Sequence, residues 1–112
     1  MKPPYDPDGI IAQRTFDSEL GPVELRIHKP RPWPSDTVGR EPDWVCWYSI
    51  QYPGERLKTH SAAGVDGIQA MLLAFASAAV NLRYFGDGTP ARRPPLKWLG
   101  EDDLGLTINH FE

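Results

Sequence analysis

Four segments in the first half of the chain have the residue pattern of β-strands. In Val23–His28 apolar and polar residues alternate at every position, which places three apolar side chains on one face of a sheet and three polar ones on the other. The same alternation within Trp44–Tyr52 puts Trp47 and Tyr48 on opposite faces. The four predicted strands are Ile10–Phe16, Val23–His28, Trp44–Tyr52 and Arg56–Ala63.

Turn and cap signals mark where these elements end. Pro53 and Gly54 fit the central positions of a type II turn, because glycine adopts the positive φ of that turn without strain. We therefore expect the third and fourth strands to form a hairpin. Asp66 is a good N-cap for a helix, and Gln69 completes a pattern like that of a capping box.

The helix that follows carries no charged side chain from Gly67 to Leu82. A single stripe at helical spacing is predicted to face the sheet, and it consists of Ile68, Leu72, Phe75, Ala79 and Leu82. The opposite face is also apolar, and a helix that is apolar all round is normally covered on more than one side. Its second cover is predicted to be either the segment Pro95–Leu99 or a second copy of the protein.

These elements predict an α+β fold in a single domain over residues 1–112, a length that suits one hydrophobic core. An arm over residues 1–9 precedes a four-stranded antiparallel sheet over 10–63. One long helix over 66–85 packs on the sheet, and an irregular Pro-rich segment over 86–112 packs on the helix or the sheet. The twelve prolines also predict a long loop, Lys29–Asp43, around Trp33.

Composition narrows the class of protein. The net charge of −3 argues against nucleic-acid binding, which normally shows as a basic domain or stripe. The apolar run Ile68–Leu82 is too short for a typical membrane span, and the first residues have no apolar core of a secretory signal. The single cysteine fits a reducing compartment, so the expected location is the cytoplasm.

Residues with catalytic or metal-binding chemistry are few and widely spaced. His28, His60 and His110 are far apart in sequence, whereas zinc ligands come in closely spaced pairs. We expect His28 and His60 to be solvated on polar strand faces, and Cys46 to be a small buried hydrophobe. Glycines 86 and 88 follow the helix rather than precede it, so they predict a helix stop and not a phosphate loop. The sequence predicts no catalytic residue, no metal and no cofactor.

Two surface features are candidates for binding a partner. Trp33 lies in a proline-rich run, where it either docks in a groove of the partner or folds back onto the sheet edge. Glu101, Asp102 and Asp103 form an acidic run that either engages a basic partner or is a solvated turn. Both alternatives stay open at each position.

The runs Cys46–Ile50, Ala63–Ala70 and Asp103–Leu106 resemble a family of small uncharacterised bacterial proteins, a domain of unknown function with four strands and one helix. That family has serine where this chain has Gly67, and phenylalanine where it has Leu106. The resemblance covers roughly residues 10 to 106, and its motifs are structural, so it assigns no catalytic residue. Such small acidic proteins are similar in build to immunity proteins, which bind and neutralise a toxin.

The sequence therefore favours a non-enzymatic protein-binding module, in the form of an immunity-type inhibitor that binds a bacterial toxin. The residues predicted to contact the partner are Trp33, Trp47, Asp87, Glu101, Asp102 and Asp103. One alternative is a homodimeric structural or regulatory module that uses the charge-free helix. Another is a small-ligand-binding domain whose pocket between helix and sheet is lined by Tyr48, Phe75 and Trp98.

Overall fold

The computed structural model describes residues 5–33 and 43–83, together with Lys97, Gly100 and Leu106. In this part of the chain one helix packs on an antiparallel sheet, which confirms the predicted α+β class. The elements are β1 (Ile10–Phe16), β2 (Val23–His28), β3 (Arg31–Trp33), β4 (Asp43–Gln51), β5 (Lys58–Gly64) and α1 (Gly67–Arg83).

The central strand of the sheet is β4. Its pairing with β5 runs from Trp44 to Ile50 and occupies one edge of β4 along nearly its whole length. β2 and β3 pair with two different parts of β4, so they lie end to end on its other edge, and β1 lies beyond β2. The sheet thus contains the four predicted strands and a fifth, β3, that was not predicted.

The prediction of a loop from Lys29 onwards is wrong at β3. Pro32 lies in the middle of this strand, where proline removes a backbone donor. Its position is compatible with a strand because, among the described residues, β3 pairs with β4 alone and is therefore an edge strand, the usual place for proline in a sheet.

A bulge separates β2 from β3. Ile27 lies opposite Tyr48 and Arg31 opposite Val45, so the chain advances four residues (27 to 31) while β4 recedes by three (48 to 45). Side chains alternate between faces along a strand, so one extra residue transfers every later side chain to the other face. Arg31 and Trp33 consequently lie on the sheet face opposite to α1.

α1 packs on β4 and β5 through a row of small side chains. The helix residues that are buried are Ala70, Ala74, Ala78 and Leu82. The predicted stripe is wrong for Ile68 and Leu72, which are 72% and 54% exposed, whereas Phe75 packs against the core as a half-buried residue. Only Leu82 belongs to both sets.

The physical reason is that the sheet supplies the bulk of this core. Tyr48, Ile50 and Tyr52 point from β4 towards α1 and are at most 3% exposed. Alanine methyl groups let the helix backbone come close to these large side chains, in keeping with the close packing of protein interiors. One such close approach is at Gly64, where an added Cβ would lie 2.6 Å from the backbone nitrogen of Ala70.

The predicted cap and turn are both confirmed. Asp66 Oδ1 accepts a hydrogen bond from the N–H of Gln69, and Gln69 Oε1 accepts one from the N–H of Val65, both at 2.7 Å. Gly54 has φ of +71°, and the N–H of Glu55 donates to the carbonyl of Tyr52 at 3.2 Å, as in a type II turn.

Residues from the C-terminal part of the chain meet the sheet at the end of β1. Lys97 and Asp17 exchange two backbone hydrogen bonds of 2.8 and 2.9 Å, and Leu106 packs against the core. The rest of Pro95–Leu99, and the predicted helix stop at residues 86–88, lie outside the described residues.

Among the helices that are described, none is long and apolar enough to cross a membrane.

Candidate functional site

The sheet face turned away from α1 collects polar and aromatic side chains, and we call it the open face. Alternate residues of β2 and β4 point to this face, and the bulge adds Arg31 and Trp33 of β3. The residues that β2, β3 and β4 contribute to the open face are Glu24, Arg26, His28, Arg31, Trp33, Asp43, Val45, Trp47, Ser49 and Gln51. Three of them, His28, Val45 and Ser49, are buried. The predicted N-terminal arm is described from Tyr5, and its residues Tyr5 and Asp6 contact this face.

His28 is buried beneath the arm, so the prediction of a solvated histidine is wrong. It is 2% exposed, and the ring of Tyr5 meets it edge-on with 4.7 Å between the centroids. Its Nδ1 lies 2.9 Å from the carbonyl oxygen of Asp6. Because a carbonyl can only accept, Nδ1 carries the proton, and Nε2 of the neutral ring is a bare acceptor.

Burial lowers the pKa of His28 below its usual value of 6.5, because a buried environment disfavours the charged imidazolium. The hydrogen bond to the Asp6 carbonyl and the Asp6 charge act in the opposite direction, while Arg26 reinforces the lowering. Because the pKa of His28 is lowered overall, the ring is neutral at neutral pH, in the tautomer in which Nε2 can accept a hydrogen bond.

Acid is expected to destabilise the folded chain through this histidine. The unfolded chain takes up the proton near 6.5, so the stability that comes from neutral His28 is complete above that pH and is lost as the pH falls through the lower folded pKa. Burial lowers the pKa of His60 as well, so both histidines act in the same direction. Urea unfolding on both sides of pH 6.5 measures the loss.

The matched variant for that measurement is His28→Asn, whose amide keeps a donor for the Asp6 carbonyl but cannot take up a proton. It should lose less stability on acidification than the parent chain. An equal loss in both proteins would contradict the role of His28 and assign the effect to other titrating groups, His60 among them.

Among the described residues, three buried polar atoms of the open face have no hydrogen-bond partner, and they are Arg26 Nε, His28 Nε2 and Ser49 Oγ. Arg26 and Ser49 lie directly opposite each other in the β2–β4 pair. Leaving a buried polar group unsatisfied costs about 1–3 kcal/mol, so three such atoms on one face need a physical explanation. Together they offer two donors, Arg26 Nε–H and the Ser49 hydroxyl, and one acceptor, His28 Nε2.

Chemically, this arrangement can bind a group that both accepts and donates hydrogen bonds. His28 Nε2 and Ser49 Oγ do not bond to each other, so they do not form a preassembled base and nucleophile. Within the described ranges, no three His, Cys, Asp or Glu side chains converge as metal ligands.

Ion pairs border the site. Arg26 Nη2 lies 3.1 Å from Glu24 Oε1, which leaves the Nε of the same guanidinium without a partner. Arg31 pairs with Asp6 and so holds the arm at this edge. Both pairs are partly exposed to water, where such a pair contributes about 0–1 kcal/mol.

The two tryptophans predicted to contact a partner lie on the same face. Trp33 is half-buried in β3, which agrees with the alternative in which it folds back onto the sheet edge. Trp47 is half-buried in β4, with its ring 5.9 Å from that of Tyr5. The four predicted acidic contacts, Asp87, Glu101, Asp102 and Asp103, lie outside the described residues.

The family described as a domain of unknown function (DUF6968) matches residues 12–108 of this chain. The chain belongs to this family. The matched span agrees with the resemblance to a domain of unknown function found in the sequence. No curated protein and no solved structure matches the chain.

In this member of the family, the helix side of the sheet holds a second polar cluster. Tyr48 donates a hydrogen bond to Asn81 of α1, and His60 stacks on the Tyr48 ring with 5.2 Å between the centroids. Burial raises the pKa of Tyr48 to about 12. His60 is thus half-buried against Tyr48, and the prediction that it is solvated on a polar face is wrong.

These residues fill the interior instead of lining a cleft. Tyr48 is 2% exposed, and Phe75 packs against the core as well, as in the alternative in which both simply fill the core. Trp98, the third residue of the predicted pocket, lies outside the described residues.

Cys46 is a buried hydrophobe, as predicted. It is fully buried in β4, and its Sγ lies 3.3 Å from the carbonyl oxygen of His28. Burial raises the pKa of its thiol to about 11, so the reactive thiolate is scarce at neutral pH.

Proposed function

We propose that this chain is a non-enzymatic protein-binding module and that its open face contacts the partner. The observation that carries this proposal is the presence of Trp33 and Trp47 on one sheet face that α1 does not cover, with Arg26 and Arg31 beside them. Tryptophan, tyrosine and arginine are enriched at protein interfaces and supply most of the residues that dominate binding energy.

The partner chemistry that fits the open face is that of a polypeptide chain. A peptide carbonyl accepts from Arg26 Nε–H, and a peptide N–H donates to His28 Nε2. Tyr5 covers His28, so the partner first displaces the arm. The arm is held by the exposed Arg31–Asp6 pair, by the hydrogen bond from His28 Nδ1 to the Asp6 carbonyl and by the Tyr5 ring, and the partner takes the place of these contacts.

The biological role that we propose is that of an immunity-type inhibitor, which neutralises a bacterial toxin by direct binding in the cytoplasm. Small size and a net charge of −3 support this role, and the single cysteine supports the location. The predicted acidic contacts, Glu101, Asp102 and Asp103, would add charge complementarity to a basic toxin and speed the encounter.

Co-expression with the product of the adjacent gene tests the proposal, with gel filtration to detect a complex. Trp33→Ala should weaken the complex about 30-fold, because truncating an anchor residue costs about 2 kcal/mol or more. Leu20→Ala is the control, since Leu20 is 68% exposed and lies in the turn between β1 and β2. A non-toxic adjacent product that forms no complex contradicts the inhibitor role, and a complex that tolerates Trp33→Ala contradicts the open-face contact.

A further inference from the structure

The N-terminal arm occupies a slot whose walls belong to the sheet. The ring of Tyr5 lies edge-on to two rings of the open face, with centroid distances of 4.7 Å to His28 and 5.9 Å to Trp47. The Asp6 carboxylate pairs with Arg31. The slot is thus built from one side chain each of β2, β3 and β4, and we call these three residues the arm slot.

Each contact in the arm slot recognises a different chemical group. The edge-on rings of His28 and Trp47 select an aromatic side chain, because aromatic pairs favour this geometry. His28 Nδ1 donates to the main-chain carbonyl of Asp6 at 2.9 Å. The Arg31 guanidinium selects a carboxylate. An aromatic residue followed by an acidic residue supplies all of these groups.

The backbone of the arm adds a requirement of shape. The side chains of Tyr5 and Asp6 both contact the open face, whereas successive side chains of a strand point to opposite sides. A turn follows at once, because the Gly9 N–H donates to the Asp6 carbonyl at 3.2 Å and the Asp8 N–H donates to Asp6 Oδ1 at 2.9 Å. The arm slot therefore fits an aromatic–acidic pair at the start of a turn, and not an added strand.

The arm is separable from the sheet that it covers. Pairing with the end of β2 begins at Gly9, whose carbonyl accepts from the Lys29 N–H at 2.7 Å. Among the described contacts, departure of Tyr5 and Asp6 breaks no hydrogen bond within the sheet. The family match also starts at residue 12, so the arm slot lies within the matched span and the arm precedes it.

We propose that the arm is an internal ligand, held in a site for a partner segment of the same chemistry: an aromatic residue followed by an acidic residue that begins a turn. This inference rests on the proposed function, because it names the segment of the partner that the open face binds. A segment without these groups would leave the His28 N–H without an acceptor and Arg31 without a carboxylate. Such a segment would therefore not replace the arm.

The covalent link gives the arm an advantage over any free segment. A tethered segment competes at an effective concentration of about millimolar. A partner segment consequently prevails only by adding contacts elsewhere on the open face, as proposed above for Trp33. The arm thereby raises the specificity of the site, since a partner must match the arm and also exceed it.

A peptide with the sequence of residues 2–9 tests whether the arm slot binds this chemistry in trans. It is titrated through the millimolar range into the full chain carrying Tyr5→Ala, and the indole N–H of Trp47 is followed by NMR. We expect the peptide to bind this variant. Tyr5→Phe is the matched control: its own ring stays in the arm slot, so the peptide should bind it, like the parent chain, at least about tenfold more weakly. Circular dichroism checks that both variants are folded.

Changes in the peptide show whether the contacts are those of the arm. Tyr5→Ala in the peptide should weaken its binding about tenfold. Asp6→Lys in the peptide should weaken it about fivefold, because an exposed attraction becomes a repulsion. Adding Arg31→Glu to the Tyr5→Ala chain should reverse that preference, so that the lysine peptide binds better than the original. A role of Arg31 in folding alone would not produce this reversal.

Three results would overturn the proposal: no binding of the peptide to the Tyr5→Ala chain, equal binding to the Tyr5→Phe chain, or a charge preference that Arg31→Glu does not reverse. No partner protein takes part in these measurements. Peptide binding together with a non-toxic adjacent gene product would therefore reject the inhibitor role alone. A toxin complex without peptide binding would reject the arm slot alone.

Discussion

Gly64→Ala is expected to lower the free energy of unfolding by about 3 kcal/mol, near the upper end of the usual cost of overpacking. The added Cβ would lie 2.6 Å from the backbone nitrogen of Ala70 and 3.0 Å from two atoms of Gln69. Two of these three atoms are backbone, so a side-chain rotation cannot relieve the contact. The first turn of α1 must move away from β5, and the packing behind it loosens.

Gly67→Ala is the control for this measurement. An added Cβ there meets the Trp44 ring at 3.4 and 3.5 Å, which is ordinary contact. Alanine also restricts the unfolded chain more than glycine does, so this variant should be neutral or more stable by up to about 1 kcal/mol. Urea unfolding of both proteins gives the comparison, and equal losses would mean that α1 does not approach β5 as closely as 2.6 Å implies.

Ala74→Leu is expected to cost about 2–3 kcal/mol, because it adds three carbon atoms where the helix meets the sheet. Ala74 is fully buried in the middle of the alanine row, and the side chains of Tyr48 and Ile50 that face α1 are buried as well. The closely packed interior leaves no space for the larger side chain, so α1 must lift or the β4 side chains must leave their preferred rotamers.

The same substitution two residues later is the matched control. Ala76 is exposed on α1, and Ala76→Leu should change the free energy of unfolding by no more than about 0.5 kcal/mol. Thermal unfolding with circular dichroism separates the two variants. If Ala76→Leu is the more damaging, the buried face of α1 is the one that carries Leu72, and the packing described for the alanine row is wrong.

Features that depend on neighbouring residues were predictable from the sequence. The alternation in Val23–His28, the Pro53–Gly54 turn and the Asp66 cap all follow from backbone preferences within a few residues. The structure confirms each of them. These local signals were enough to establish four of the five strands, the antiparallel hairpin and the start of the helix.

The buried face of α1 was not predictable, because the helix has no charged residue that must point to water. Both Leu72 and Ala74 are compatible with the core, and the size of Tyr48 and Ile50 on the facing strand decides between them. Tyr48 and Ile50 lie in β4, so the sequence of the helix alone does not show which of its faces is buried. The wheel pattern favoured the large residues, while close packing favoured the small ones.

The candidate site was even less accessible to sequence analysis. The burial of His28 depends on Tyr5 and Asp6, which lie 23 and 22 residues away along the chain. The arm has no periodic pattern of apolar and polar residues, so its sequence does not predict that it packs on the sheet. Trp33 and Trp47 were identified as candidates, but that they share one face could not be read from the sequence, since it requires the register of β3 on β4.

The single extra residue between β2 and β3 has an evolutionary consequence. Without it, Arg31 and Trp33 would point towards α1, into a core that is already filled. A relative one residue shorter at this point would keep the sheet and the helix and lose the two-tryptophan surface, with every side chain of β3 unchanged in identity. The length of the segment around Pro30, and not only the identity of the β3 residues, therefore decides which face of the sheet Trp33 joins.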